Sequence, residues 1–276
     1  MSLRRRLIPV LLLALPAVAA AHDLFLKPES FFVPAASRVR ITVLNGTFTT
    51  SENAIVRSRV RDLSLAGPAG RVSLDTSALT VLATRSRITA RTAGAGTYVA
   101  GLSTAPSEID LTGKEFAAYL EEEGLEDVIE ARRKEGSLDQ PVRERYAKHV
   151  KAVLRAGSAG GEAWGRALGY PAEIVPLADP YTLRRGDTLR VRLLVAGAPA
   201  PAGTVLLAGG RNQAGGRVPV QKVRAGPDGT AAVVLSTPGA WYVKFIHMTR
   251  SSDPAVTHVS EWATLTFALR SPAPRR

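Results

Sequence analysis

Along most of this chain, short runs of β-branched and other apolar residues alternate with polar ones, and Gly, Pro, Asn and Asp interrupt them before any run grows long. That alternation has the two-residue period of a strand with one buried face, and the frequent breaks limit each strand to a few residues. From Leu24 to about Ser107 the runs are Ser37–Leu44, Ser58–Leu65, Ser86–Ala90 and Thr97–Leu102. In the first of them Val39, Ile41 and Val43 point one way while Arg38, Arg40 and Thr42 point the other, the pattern of a sheet with one wet face. A second set recurs at Thr188–Val195, Gly203–Leu207, Val218–Val223, Thr230–Leu235, Trp241–Met248 and His258–Leu269. Turn signals separate these: Arg185-Gly-Asp187, Gly209-Gly210, Pro227-Asp-Gly229 and Pro238-Gly239. Two β-sandwich domains follow, one before and one after the middle of the chain.

Between them the pattern changes. Lys114 to Ile129 carries apolar residues at 116, 119, 120, 125, 128 and 129, and Val142, Tyr146, Val150, Val153 and Leu154 recur at helical spacing, so two amphipathic helices are expected. Asp139 before Pro141 offers an N-cap with proline in the first turn, and Gly157 a C-terminal stop. The Pro-rich stretch Gly169–Pro180 then reads as a linker. The expected division is a signal peptide at 1–21, an N-terminal sandwich at 22–107, a helical insertion at 108–165, a C-terminal sandwich at 166–270 and a disordered tail at 271–276.

The signal peptide rests on Arg4-Arg-Arg6, an apolar run from Leu7 to Val18 too short to cross a bilayer, and Ala19-Ala-Ala21 as a cleavage site. Cleavage after Ala21 makes His22 the first residue, and cleavage one residue earlier is also permitted. Taking 21 from 276 residues leaves 255, and losing Arg4, Arg5 and Arg6 brings the formal charge from +12 to +9. No later run of about 18 apolar residues exists, so a soluble periplasmic protein without a membrane span is expected. Cysteine is absent, which excludes disulfides, thiolate metal sites and a lipidated N-terminal cysteine. The basic residues are scattered rather than grouped into a stripe with aromatics, which argues against nucleic acid as a partner.

With no thiol present, the four histidines are the informative polar residues. At a freshly cut N-terminus His22 offers its α-amino nitrogen and its imidazole together, a bidentate nitrogen chelate suited to Ni(II), Co(II) or Cu(II). If Trp241–Met248 and His258–Phe267 pair antiparallel, His247 and His258 fall opposite or nearly opposite each other, within reach of a shared metal ion. His149, among Tyr146, Val150 and Val153, reads as a buried, hydrogen-bonded residue, and Asp23 and Glu261 are oxygen candidates close in sequence to the histidines. No nucleophile elbow, His-Glu-x-x-His or phosphate-binding loop occurs, so a non-enzyme is expected; a copper histidine-brace enzyme is the lesser alternative, and an interaction or structural module of the cell envelope the nearer one.

Several segments together resemble a family of bacterial periplasmic proteins of unknown function, often labelled nickel-transport-complex or NikM-like. They are Ala21-His-Asp-Leu-Phe-Leu-Lys-Pro28, Asn45-Gly46, Arg145-Tyr-Ala-Lys148, Leu168–Pro180, Gly186-Asp187, Gly239-Ala-Trp-Tyr-Val243 and Glu261–Phe267. The resemblance implies two immunoglobulin- or transthyretin-like sandwiches with a helical insertion. It also implies a divalent transition metal, nickel or cobalt, with His22, His247 and His258 as ligands, and an envelope metal transporter as partner.

Overall fold

The computed structural model describes residues 22–271, so the expected signal peptide and all but the first residue of the expected tail lie outside the described residues. The chain is mainly β. One sheet has the order β1-β3-β7-β6, formed by β1 (Asp23–Pro28), β3 (Arg38–Gly46), β6 (Leu79–Val81) and β7 (Ser86–Arg91). A second, of ten strands, runs β15-β14-β17-β18-β10-β8-β4-β5 through β4 (Val60–Gly67), β5 (Gly70–Ser73), β8 (Gly96–Thr104), β10 (Val142–Ala156), β14 (Val205–Asn212), β15 (Arg217–Arg224), β17 (Gly239–Arg250) and β18 (His258–Leu269). Two short strands, β2 (Phe32–Val33) and β9 (Ser107–Leu111), pair with β10 as well. The third sheet contains β11 (Ala172–Pro176), β12 (Thr188–Val195), β13 (Ala198–Pro199) and β16 (Thr230–Val234).

Alternation decides which face each sheet buries. In β3, Val39, Ile41 and Val43 are buried while Arg38 and Arg40 are exposed, as the sequence indicates. Those three join Leu24, Leu26, Leu63, Leu65, Leu102, Val150, Ala152 and Leu154 in a core between the first sheet and one face of the ten-stranded sheet. The opposite face of the same large sheet presents Ala66, Val99, Val153, Val243, Phe245 and Leu265 to Ile174, Leu189, Val191 and Val233 of the third sheet. The two sandwiches therefore share one continuous sheet, joined where β10 runs parallel to β18.

β10 corrects the expected second helix. Residues 142, 146, 150 and 154 are spaced by four, which fits a helical stripe and fits equally well one face of a strand, because every even spacing has period two. Val142, Glu144, Tyr146, Lys148, Val150, Ala152 and Leu154 share one face of the strand, and Ala147, His149, Lys151 and Val153 share the other. Both faces are covered, which is why the strand reads as apolar without clean alternation. The 108–165 segment is thus helical only in its first half, and its second half supplies the middle strand of the molecule.

The first helical pattern does form helices, α1 (Gly113–Glu123) and α2 (Glu126–Lys134), broken at Gly124, whose φ of 73° is left-handed. Thr112 and Glu115 close a capping box at the start of α1. Phe116, Tyr119 and Leu120 pack with Val128, Ile246, Met248 and Trp262 in a third core over the β17–β18 hairpin. The expected linker holds β11, paired antiparallel to β12. The expected Gly209-Gly210 turn is also strand, with a register shift between Ala208 and Gly210. A Cβ on Gly210 would stand 2.2 Å from the Ala240 carbonyl oxygen. Gly210→Ala is accordingly expected to cost about 1–3 kcal/mol, read as a lower urea midpoint with unchanged m-value.

Candidate functional site

His22 immediately precedes β1, and β1 is fixed firmly. Leu24 and Leu26 are buried, Thr264 Oγ1 donates to the Leu24 carbonyl at 2.8 Å, and Asp23 Oδ2 accepts from Lys244 Nζ at 2.6 Å. The loop after β3 folds back toward this end of β1. Thr47 N–H donates to Thr50 O and Glu52 N–H to Asn45 O, each at 2.9 Å, while Ser51 Oγ accepts from Asn45 N–H. The result sets Glu52 Oε2 2.5 Å from His22 Nε2. Lys148 Nζ, on β10, donates to the His22 carbonyl and, at 3.1 Å, to Asn45 Oδ1. A cavity of about 130 Å³ opens beside these groups, walled by Tyr146 and Trp262.

The other two expected ligands stand elsewhere. β17 and β18 do pair antiparallel, but His247 lies across from Glu261, and His258 lies across from Arg250. That odd offset puts the two histidines on opposite faces of the sheet, which corrects the expected cross-strand pair. His258 is fully buried, its ring 5.1 Å from that of Phe116, and burial, with Arg250 and Arg132 nearby, holds its pKa down at about 4. His247 is half-buried at a cavity of about 230 Å³ beside the α1–α2 turn, where burial lowers its pKa. Among the described residues no group of three or more His, Cys, Asp or Glu side chains is arranged to hold a metal ion. The donors do not fit one ion shared by His22, His247 and His258.

His149 is buried and hydrogen-bonded, on a strand rather than a helix. Its Nδ1 meets Ser103 Oγ at 2.9 Å and its Nε2 meets Glu261 Oε2 at 2.6 Å, so both ring nitrogens are occupied. Of the oxygen candidates, Glu261 is thereby engaged with His149. Asp23 shares Lys244 with Glu123, whose carboxylate lies 2.8 Å from the same ammonium. Burial pushes Glu123 up to about 7, and the two carboxylates push Lys244 well above the ordinary lysine range despite its burial.

Sequence reasoning missed Glu52, Asn45 and Lys148 as neighbours of His22. Asn45-Gly46 and Arg145-Tyr-Ala-Lys148 were visible among the segments that carry the family resemblance, but nothing in them states that the β3 and β10 residues converge.

These features define a mainly-β protein of shared-sheet sandwiches with a polar cluster where the chain enters β1. Residues 19–249 match the family described as "Domain of unknown function (DUF4198)", and the chain belongs to that family. No curated protein matches it. Among solved structures it is similar to dimeric latent PorU from Porphyromonas gingivalis, with 12% identity, 90% of this chain and 20% of that chain covered, and a TM-score of 0.22. A DUF4785 family protein from Legionella pneumophila gives 13% identity, 80% and 50% coverage and 0.24, and the D0-D1 domain of intimin 11%, 89% and 97%, and 0.20. This chain spans a fifth of the first of these and half of the second. Nothing about activity follows from likenesses this remote.

Proposed function

We propose that the secreted protein, cut after Ala21, captures a divalent transition metal at its N-terminus in the periplasm, with His22 as the anchoring ligand. The observation that carries this reading is the Glu52 carboxylate on His22 Nε2. A carboxylate on one ring nitrogen of a histidine holds the proton there and leaves the other nitrogen with its lone pair, the arrangement found behind metal-bound histidines. In His22 the nitrogen so released is Nδ1, the one that closes a chelate ring with the residue's own α-amino group. Lys148, donating to the His22 carbonyl, fixes the backbone of the same residue. Two nitrogen donors suit Ni(II) and Co(II), and Cu(II) more strongly still. Nickel or cobalt capture ahead of an envelope transporter is the role that the NikM-like label would give such a site; an interaction module of the envelope is the alternative if no metal is retained.

Processed protein, with His22 confirmed as first residue by mass spectrometry, is expected to bind one equivalent of Ni(II) in calorimetric titration. Binding should be lost in His22→Ala and equally when one glycine is added ahead of His22, since the extension keeps the imidazole but removes the amine from the chelate. Glu52→Gln should weaken it about 10- to 100-fold, and His247→Ala and His258→Ala should leave it unchanged. Binding that survives the glycine extension would overturn the N-terminal chelate.

A further inference from the structure

Lys148, Lys151 and Lys244 are all buried in this fold. Two of them are held by carboxylates. Lys151 Nζ lies 2.6 Å from Glu173, and Lys244 Nζ lies 2.6 Å from Asp23 and 2.8 Å from Glu123. Lys148 differs. Its Nζ donates to two neutral oxygens, the His22 carbonyl and Asn45 Oδ1, and stands 5.3 and 5.4 Å from the ring centroids of Tyr146 and Trp262. A second cation lies near it: the Arg59 guanidinium is 5.8 Å from the Tyr146 centroid, and its Nε is buried with no hydrogen-bond partner among the described residues. Of the carboxylates that act on Lys148 from farther away, Asp23 pairs with Lys244 through Oδ2 and Glu144 accepts from Tyr119 and Ser260 through Oε1, while Asp23 Oδ1 and Glu144 Oε2 are buried without a hydrogen-bond partner among the described residues. A buried cation without a direct carboxylate partner is costly, and a second cation against the same aromatic ring adds to the cost.

The space around these cations is open. Two cavities of about 130 Å³ each share Asn45, Tyr146 and Lys148; one extends to Trp262 and the other to Arg59. The position follows from the fold. On one face of β10, Tyr146 packs with the helical core and Val150 with the N-terminal sandwich core, and Lys148 falls between the two and belongs to neither. Thr104 Oγ1 also faces this space and accepts from the Lys148 backbone N–H, which leaves its own hydroxyl proton to donate.

We infer that this double cavity binds a small organic carboxylate, its anion between Lys148 Nζ and the Arg59 guanidinium and its carbon body against Tyr146 and Trp262. A guanidinium and an ammonium supply the charge-assisted donors that a carboxylate takes, and the aromatic walls favour a ligand with a carbon body over inorganic phosphate. His22 lines one of the two cavities, but the inference takes no donor from its imidazole or amine, so it stands or falls separately from metal capture.

The test is calorimetric titration of the full secreted protein, in metal-free buffer without carboxylates, using acetate, glycine, malate and inorganic phosphate as probes. Saturable binding of one equivalent of at least one carboxylate is expected. It should weaken about tenfold or more in Lys148→Met and in Arg59→Gln, the loss typical of a charge-assisted hydrogen bond, and remain when one glycine is added ahead of His22, the change that removes the amine from the metal chelate and keeps the cavity wall. Arg59 is only partly buried, so its variant keeps the test open if Lys148→Met fails to fold. No carboxylate binding by folded wild-type protein, undiminished binding by Arg59→Gln, loss of binding on adding a glycine ahead of His22, or preference for phosphate would each overturn the inference.

Discussion

Replacing Lys151 with methionine is expected to lower the unfolding free energy by about 3–5 kcal/mol at pH 7, the penalty for stranding one half of a buried ion pair. Lys151 on β10 and Glu173 on β11 meet at 2.6 Å with side chains 1% and 2% exposed, joining the large sheet to the third sheet. Glu173 also accepts backbone N–H groups from Leu168 at 2.5 Å and Gly169 at 3.0 Å, so the carboxylate organises the chain leading into β11. Without Lys151 it stays in that cage of amides but loses its counter-charge. Glu173→Gln should cost a similar amount, because the buried ammonium then has no counter-charge and keeps only neutral acceptors, the new amide oxygen and the Arg166 carbonyl at 3.5 Å. The double variant, with both charges gone, should cost less than the sum of the two, since neither charge is then left alone. Urea midpoints at constant m-value measure all three. A loss below about 1 kcal/mol in either single variant would mean that water reaches the pair, contrary to its burial.

β3, β4, β7, β8, β12 and β14 to β18 were legible from alternation or a clear turn at an end, whereas β1, β5 and β6 were not among the expected runs and β11 was expected to be a linker. β3 shows this plainly, with its arginines outside and its valines inside. β10 was not legible. It is covered on both sides over most of its length, the polar side chains Glu144, Lys148, His149 and Lys151 within it are buried, and Asp139 with Pro141 imitates a helix start. Long-range partners alone make those charges tolerable, and no local pattern encodes a partner on another sheet. The same limit applies to the site. His22 could be singled out by its place after a cleavage signal, and the β17–β18 hairpin by its alternation, but the register that sets His247 against Glu261 depends on which residues turn the chain between Arg250 and His258. A slip of one residue reverses the face of every side chain beyond it. Glu52, Asn45 and Lys148 come from three places in the sequence and converge only because β1 lies across β10 and the β3 loop folds back.

His258 and Glu123 should tilt stability in opposite directions as pH changes. His258 is a base whose folded pKa, about 4, lies below its ordinary 6.5, because burial and then Arg250 and Arg132 disfavour its charged form. Between those values the unfolded chain binds the proton and the folded chain does not, so stability rises with pH across that window and is lost as the medium is acidified. The full span corresponds to about 3 kcal/mol. Glu123 is an acid raised from 4.5 to about 7, by burial above all, with the Asp23 charge adding to it and Lys244 opposing. There the folded chain holds the proton longer, and stability falls as pH rises from 4.5 to 7. Because the windows overlap, the wild-type profile alone conceals both. Differences reveal them: relative to wild type, His258→Phe should gain about 3 kcal/mol on going from pH 7 to pH 4. Over the same change Glu123→Gln should lose ground, since it gives up a group that stabilises the fold only when protonated. Urea unfolding of the three chains at pH 4, 5, 6 and 7 provides the comparison. Parallel curves for wild type and His258→Phe would show that His258 takes its proton equally in both states, and that Arg250 and Arg132 do not confine it to the neutral form.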